Sequence, residues 1–278
     1  MGLQFKSKIP RYLFDQKDYE LIRIVNDGFA ELCAKEKDHF PGWVAQVSLD
    51  APDAGVAEAE RALKMGALGV QIYTNVAGKP LDHPDFDPFW KAMNKTGTPI
   101  WLHPSRTASF PDYQSETKSK YEIWWTLGWS YETAAAMSRL VITGMLDRYP
   151  KLKIITHHFG GIVPMLEGRL GPGWDQIGAR TSDEDYGTVL RSLKRRPVDY
   201  FRMFYADTAL FGAWEATKCG LKFFGPERVL FASDSPFDPE KGSMYTRTTI
   251  EIVDRLDLSP DERHAIYEGN ARRLLKLA

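Results

Sequence analysis

Short β-branched or apolar runs alternate with longer segments of helical period along most of the chain, which predicts parallel strands joined by crossover helices rather than a sandwich. Residues 17–37 place Leu21, Val25, Phe29 and Leu32 on one helical face, with Ile22 and Cys33 at its border. A strand at Val44–Leu49 follows, then a helix over Val56–Met65 that Gly66 can end in the left-handed conformation, then a strand at Gly69–Tyr73. After a helix near Pro88–Lys95, the strand Ile100–His103 runs into Pro104, and the polar segment Ser105–Lys120 reads as a loop. A helix from about Ser130 to Tyr149, broken by Pro150, leads to strand Lys153–His157 and a glycine-rich turn, His158-Phe159-Gly160-Gly161. Strand Phe204–Asp207, a helix near Ala213–Lys218 and strand Val229–Ser233 bring the count to six strands. Ser259-Pro260-Asp261-Glu262 opens the closing helices with a capping box.

Six strands suit a doubly wound sheet or a barrel, and the polar residues favour the barrel, where function collects at the C-terminal strand ends. Trp101-Leu102-His103-Pro104 closes one strand with a histidine, Ile154-Ile155-Thr156-His157-His158 closes another with two, and Leu230-Phe231-Ala232-Ser233-Asp234 closes the last with an aspartate. Imidazole and carboxylate are ligands for a borderline divalent metal, and a further histidine can carry a proton. Taken singly, a strand-end histidine is more often structural, Asp234 before Ser235-Pro236 suits a turn, and Asp207 before Thr208 reads as a helix N-cap. Their recurrence at one end of successive strands is what points to a site. His39, His83 and His264 lie outside that pattern and read as solvated or structural.

Composition narrows the possibilities. The 278 residues allow one large domain, and no repeat, low-complexity tract or linker divides them. A net charge of −1 gives no electrostatic case for nucleic acid or an anionic membrane surface. No apolar run approaches the ~18–20 residues of a membrane helix, and the first twenty residues lack a signal peptide's apolar core and cleavage site. Cys33 and Cys219 have no metal or redox spacing, so a reducing cytoplasm is expected. Trp124, Trp125 and Trp129 fall close together and either enlarge the core or wall a pocket for a flat organic molecule.

From about residue 40 to the end, the chain resembles the amidohydrolase-related family that includes aminocarboxymuconate-semialdehyde decarboxylase and γ-resorcylate decarboxylase. The most specific piece is His158-Phe159-Gly160-Gly161-Ile162-Val163-Pro164 with Gly168-Arg169 after it, matching a family pattern of His-x-Gly-[Gly/Glu], then Pro, then Arg eleven residues past the histidine. Leu102-His103-Pro104, Phe204-Tyr205-Ala206-Asp207-Thr208, Phe231-Ala232-Ser233-Asp234-Ser235-Pro236-Phe237 and Gly269-Asn270-Ala271-Arg272-Arg273-Leu274-Leu275 support it.

The resemblance implies a TIM-type (β/α)8 barrel of the metal-dependent hydrolase superfamily, present here as strands three to eight. His103 would be a metal ligand from the fifth strand, Asp234 from the eighth would ligate the metal or hydrogen-bond to its bound water, His158 would be the acid/base residue, and Arg169 a holder of the substrate carboxylate. Trp124 and Trp125 would wall the pocket, and His157 is assigned a structural or supporting place. The implied metal is zinc, or manganese, the implied partner a small carboxylate substrate, and the implied assembly a homodimer. The implied activity is nonoxidative decarboxylation of an aromatic or muconate-like acid. Hydrolysis or hydration of a ring-cleavage product, and a noncatalytic truncated remnant, are the alternatives. The family's opening His-x-His or Glu-x-His has no counterpart, since the first histidine is His39, alone. Two strands are therefore expected to be missing, with exposed sheet edges and weak metal binding as the result.

Overall fold

The structure is a computed structural model and describes residues 16–277. Six strands pair in parallel: β1 (Val44–Gln46), β2 (Gly69–Tyr73), β3 (Pro99–His103), β4 (Lys153–Thr156), β5 (Tyr205–Asp207) and β6 (Val229–Leu230). Their order across the sheet is their order in the chain. A doubly wound sheet would reverse direction partway, so the observed order is that of six consecutive strands of a barrel. A small antiparallel ribbon, Asn75–Val76 with Lys79–Pro80, lies just past β2.

Side-chain alternation sorts the strands into two layers. Ala45, Val70, Ile72, Ile100, Leu102, Ile154, Ala206 and Val229 join one large core with helix residues such as Ala59, Phe89, Met137 and Phe223. The opposite set forms a second, smaller cluster in which Ile155 and Leu230 meet Trp101 and Tyr205, closed by Leu274 and Ala271 of the last helix. A methyl group on Gly69 would fall 2.5 Å from Cζ3 of Trp101, so the indole spreads over a strand position that has no side chain.

Three expectations need correcting. Helix α1 (Gln16–Lys35) buries a face rotated from the predicted one: Val25 and Phe29 turn inward as expected, joined by the border residues Ile22 and Cys33 and by Asn26, whereas Leu21 and Leu32 are exposed. The reason is Asn26, a polar residue at 0% exposure whose amide has a specific task at β1. The helix expected over 130–149 is two pieces, α4 (Gly128–Ile142) and a single turn at Met145–Arg148, because Gly144 takes φ 69° between them. Residues 231–233 leave the β6 ladder, since the Phe231 N–H donates to Ile266 O at 2.9 Å, outside the sheet. The remaining helices used below are α2 (Pro52–Lys64), α3 (Asp87–Thr96), α5 (Glu167–Trp174), α6 (Trp214–Phe224) and α7 (Ser243–Arg255), the last without a counterpart in the sequence reading. The capping box at Ser259 and Glu262 forms as expected.

At the outer edges of β1 and β6, expected to be bare, one residue each, Gln46 and Val229, is capped by a buried asparagine. On β1, Asn26 Nδ2 donates to Gln46 O at 3.0 Å and the Gln46 N–H donates to Asn26 Oδ1 at 2.9 Å, reproducing the two bonds a neighbouring strand would make. The same Nδ2 reaches Glu58 of α2 at 2.8 Å. On β6, Asn270 Nδ2 donates to Val229 O and to Pro226 O, each at 2.7 Å. Buried backbone groups stripped of partners cost about 1–3 kcal/mol each. Asn26→Leu should therefore lower unfolding stability by about 2–4 kcal/mol in a urea titration; an unchanged midpoint would show that Gln46 finds another partner.

Among the described residues no helix is long and apolar enough to cross a membrane. Cys33 and Cys219 are both unpaired thiols.

Candidate active site

The C-terminal ends of β3, β4 and β5 carry His103, His157, His158 and Asp207 into one cluster. Ring centroids stand 5.0 Å apart for His103 and His157, 5.9 Å for His157 and His158, and 6.2 Å for His103 and His158. Each ring is anchored through the same nitrogen. His103 Nδ1 lies 2.8 Å from Pro104 O, His158 Nδ1 lies 2.8 Å from Ala209 O, and His157 Nδ1 lies 2.9 Å from Asp207 Oδ2. A carbonyl oxygen can only accept, so His103 and His158 carry their proton on Nδ1, and the Asp207 carboxylate favours the same tautomer in His157. All three rings thus keep the Nε2 lone pair available. His157 Nε2 is buried and has no hydrogen-bond partner among the described residues.

Asp207 holds this arrangement together. Its Oδ1 accepts from the backbone N–H groups of His158 at 2.8 Å and Ala209 at 3.1 Å, while Oδ2 faces His157. Burial works to raise its carboxyl, but His157, His158 and the Ala209 N–H together hold it below the ordinary carboxylate value. No helix begins at Thr208, the next being α6, so the N-cap reading of Asp207 is replaced by this one. Burial, reinforced by the two neighbouring histidines, pushes His103 down to about 3, which keeps the imidazole neutral at pH 7. At Asp234, beyond β6, burial pushes the carboxyl up; His158 opposes that shift and Asp207 adds to it.

Local backbone strain concentrates at this mouth. His158, Phe159, Phe211 and Asp234 take φ of 54°, 49°, 55° and 60°. Left-handed conformations cost non-glycine residues about 1–2 kcal/mol each and persist where surroundings impose them. For the His158 turn the constraint is visible: Phe159 is buried against α6, where a methyl on Gly220 would stand 2.4 Å from its Cδ1, and Gly160 and Gly161 continue the left-handed run.

Aromatic rings close both flanks. Trp129 meets His103 edge-on at 5.3 Å, is fixed by its Nε1–H to Arg106 O at 3.1 Å, and is flanked by Trp124 at 5.7 Å and Trp125 at 6.3 Å. Tyr73 packs on His103 at 5.8 Å. Beyond His158, Phe211 lies at 5.3 Å and stacks on Tyr245 at 4.5 Å.

Of the residues singled out in the sequence, His103 and His158 share the cluster directly, and Asp234 is tied to it electrostatically through His158. Trp124 and Trp125 reach it through Trp129 rather than by themselves. Arg169 is exposed on α5 and forms no hydrogen bond, ion pair or ring contact among the described residues. His39 and His264 are exposed, and His83 caps a short turn at Asp85. The sequence reading underweighted His157, Asp207, Trp129 and Tyr73. Strand phase was the available signal for three of them: His157 follows Ile155, Asp207 follows Tyr205, and Tyr73 follows Gln71 at the period of two that faces the barrel interior.

A sequential parallel sheet with imidazoles and carboxylates gathered at its C-terminal mouth defines the class of barrel enzymes that work with a divalent metal. The chain belongs to the amidohydrolase family, whose model matches residues 8–277. It is 30% identical over 274 residues to a γ-resorcylate decarboxylase of Rhizobium radiobacter, covering 94% of this chain and 78% of that protein. It is 26% identical over 263 residues to the 2-amino-3-carboxymuconate-6-semialdehyde decarboxylase of Dictyostelium discoideum, covering 94% of this chain and 68% of the relative. Among solved structures, 5-carboxyvanillate decarboxylase of Novosphingobium aromaticivorans, complexed with manganese and 4-hydroxy-3-methoxy-5-nitrobenzoic acid, superposes with a TM-score of 0.80 at 25% identity, over 95% of this chain and 72% of that one. These relatives make the chain an enzyme of the lyase type by resemblance.

A cation such as the manganese of that relative can be tested against the residues present. Neutral imidazoles with free Nε2 atoms, one of them buried without a partner, and a nearby carboxylate are a suitable donor set. Among the described residues no three His, Cys, Asp or Glu side chains already stand as a closed cage. The donors therefore fit the ion in kind and form an open part of a site.

Proposed function

We propose that the chain is a divalent-metal-dependent, nonoxidative decarboxylase of a hydroxylated aromatic carboxylate. The observation that carries this reading is the trio of imidazoles, each anchored through Nδ1, at one mouth between aromatic flanks. His103 and Asp234 would hold the cation, which when bound polarises a substrate oxygen.

The chain's own residues account for the rest. The aromatic flanks at Trp129 and at Phe211 accept a flat ring and shed water from it. Arg169, exposed and without a hydrogen bond or ion pair among the described residues, is the candidate for the substrate carboxylate, to which a planar guanidinium can bond twice. His158 is the proton carrier: Nδ1 is committed to Ala209 O, so Nε2 is the position that exchanges. Nε2 first takes up a proton from solvent, making His158 an imidazolium. The ring carbon, enriched by a hydroxyl group ortho to the carboxylate, then takes that proton and forms a C–H bond, returning His158 to its neutral Nδ1–H form. The carbon–carboxylate bond then breaks, its electron pair restores the aromatic ring, and carbon dioxide leaves.

The test is carbon dioxide release from 2,6-dihydroxybenzoate and related hydroxybenzoates, with Mn(II) or Zn(II) supplied. Release that depends on added metal supports the reading. A chain that holds the metal but releases none, and instead opens a lactone or an amide, would be a hydrolase.

A further inference from the structure

We infer that His157 is itself a ligand of the divalent cation, supplied by β4 beside His103 from β3, and that Asp207 is its positioning residue. The inference rests on reading this mouth as a metal site, but it assigns a residue that the motif register passes over in favour of His158.

Strand phase comes first. Lys153, Ile155 and His157 share one face of β4, and Ile155 lies in the interior cluster with Trp101 and Tyr205, so His157 projects into the barrel where that row ends. His158, one residue further, has left the strand at φ 54° and is turned toward Ala209.

Anchoring comes next. Histidines that bind metals nearly always give their other ring N–H to a carboxylate or carbonyl, which fixes the tautomer and makes the free nitrogen a better donor. His157 approaches that arrangement: its Nδ1 stands 2.9 Å from Asp207 Oδ2, at side-chain exposures of 16% and 3%, an ion-pair contact rather than an aligned hydrogen bond, since Oδ2 has no hydrogen-bond partner among the described residues. Its Nε2 is a buried acceptor with nothing to accept from, which is costly in a packed interior. A cation at Nε2 removes that cost. Among the described residues nothing else competes for the nitrogen.

Spacing then separates the two candidate histidines. With metal–nitrogen bonds of ~2.1 Å, each ring centroid lies ~3.2 Å from the ion, so two imidazoles meeting at ~90–110° stand ~4.5–5.3 Å apart. His103 and His157, at 5.0 Å, fall inside that window. His158 stands 6.2 Å from His103 and 5.9 Å from His157, outside it on both sides. The same spacing that seats His157 on the ion leaves His158 off it, free to carry protons.

The experiment is Mn(II) binding to the full chain, followed by the electron paramagnetic resonance of free Mn(II), on wild type, His157→Ala, His157→Gln, Asp207→Asn and His158→Ala, with circular dichroism to establish folding. Removal of His157 should weaken Mn(II) by about 100-fold or more, and Asp207→Asn by about 10–100-fold. His158→Ala should stay within about 3-fold of wild type. Hyperfine couplings from ¹⁵N-histidine-labelled protein, loaded with Cu(II) as a probe, should count at least two bound imidazoles in wild type, one of them lost in the His157 variants. Three results overturn the inference: folded His157→Ala or His157→Gln that keeps wild-type affinity, a count of one imidazole in the wild type, or wild type that takes up no Mn(II) at millimolar concentration. The imidazole count stands even where a variant does not fold. Metal bound through two imidazoles without carbon dioxide release would sink the decarboxylase reading and leave this one intact.

Discussion

His158→Ala should reduce carbon dioxide release from a hydroxybenzoate by about 10²–10⁴-fold, the range that one positioned general acid contributes. The variant should still fold, because the side chain contributes one bond to the cluster, Nδ1 to Ala209 O, while the backbone N–H that Asp207 accepts survives the substitution. Alanine takes the left-handed φ of 54° at a cost comparable to histidine's. The melting temperature should therefore move little and the loss should fall on kcat. A variant that keeps more than a tenth of wild-type kcat would remove His158 from the proton path. Replacement by glutamine separates the alternatives further, since it can keep a hydrogen bond but cannot exchange a proton near neutral pH.

The second large effect is at Gly161, one turn from the same histidine. Its φ of 62° and ψ of −121° lie where side chains are not tolerated, and an added methyl would stand 2.3 Å from Ser130 O in the first turn of α4. Backbone, not a flexible side chain, blocks the space. Gly161→Ala should therefore destabilise by about 3 kcal/mol or more, lowering the melting temperature by about 6–12 °C for a domain of this size. It should also impair turnover, since the displaced turn carries His158 and the displaced helix carries Trp129. Gly168, on α5 at ordinary φ with nothing within 4 Å of an added methyl, supplies the comparison. Gly168→Ala should be neutral or slightly stabilising, by up to about 1 kcal/mol. Equal melting temperatures for the two variants would contradict the packing described at Ser130.

The strands were legible because their apolar runs are bounded by glycine and proline, and all six begin within one residue of their predicted starts, four of them on it. Strand ends were less so. Leu230 ends its ladder early because the Phe231 N–H bonds to Ile266 O rather than to a strand, which no local pattern announces, and β1 stops at Gln46 although the Val47 N–H still reaches Gln71 O of β2. Helix α1 was misphased for a similar reason: a polar residue at the centre of a buried face reads as solvent-facing until its partners are known. In the site, His103, His158 and Asp234 were legible from their recurrence at strand ends. Asp207 was not, because an aspartate before a threonine is locally indistinguishable from a helix cap, and its function depends on two histidines about fifty residues upstream. Trp129 was one of three tryptophans of equal standing until its ring was found against His103.

The two asparagine side chains at the rims of the sheet also limit how this protein can associate with others. A foreign strand arriving at Gln46 or Val229 would find the hydrogen-bonding positions there already taken, and would have to evict a wholly sequestered amide to gain entry. Self-assembly by strand addition, the usual route from an open sheet to fibres, is discouraged at those two positions.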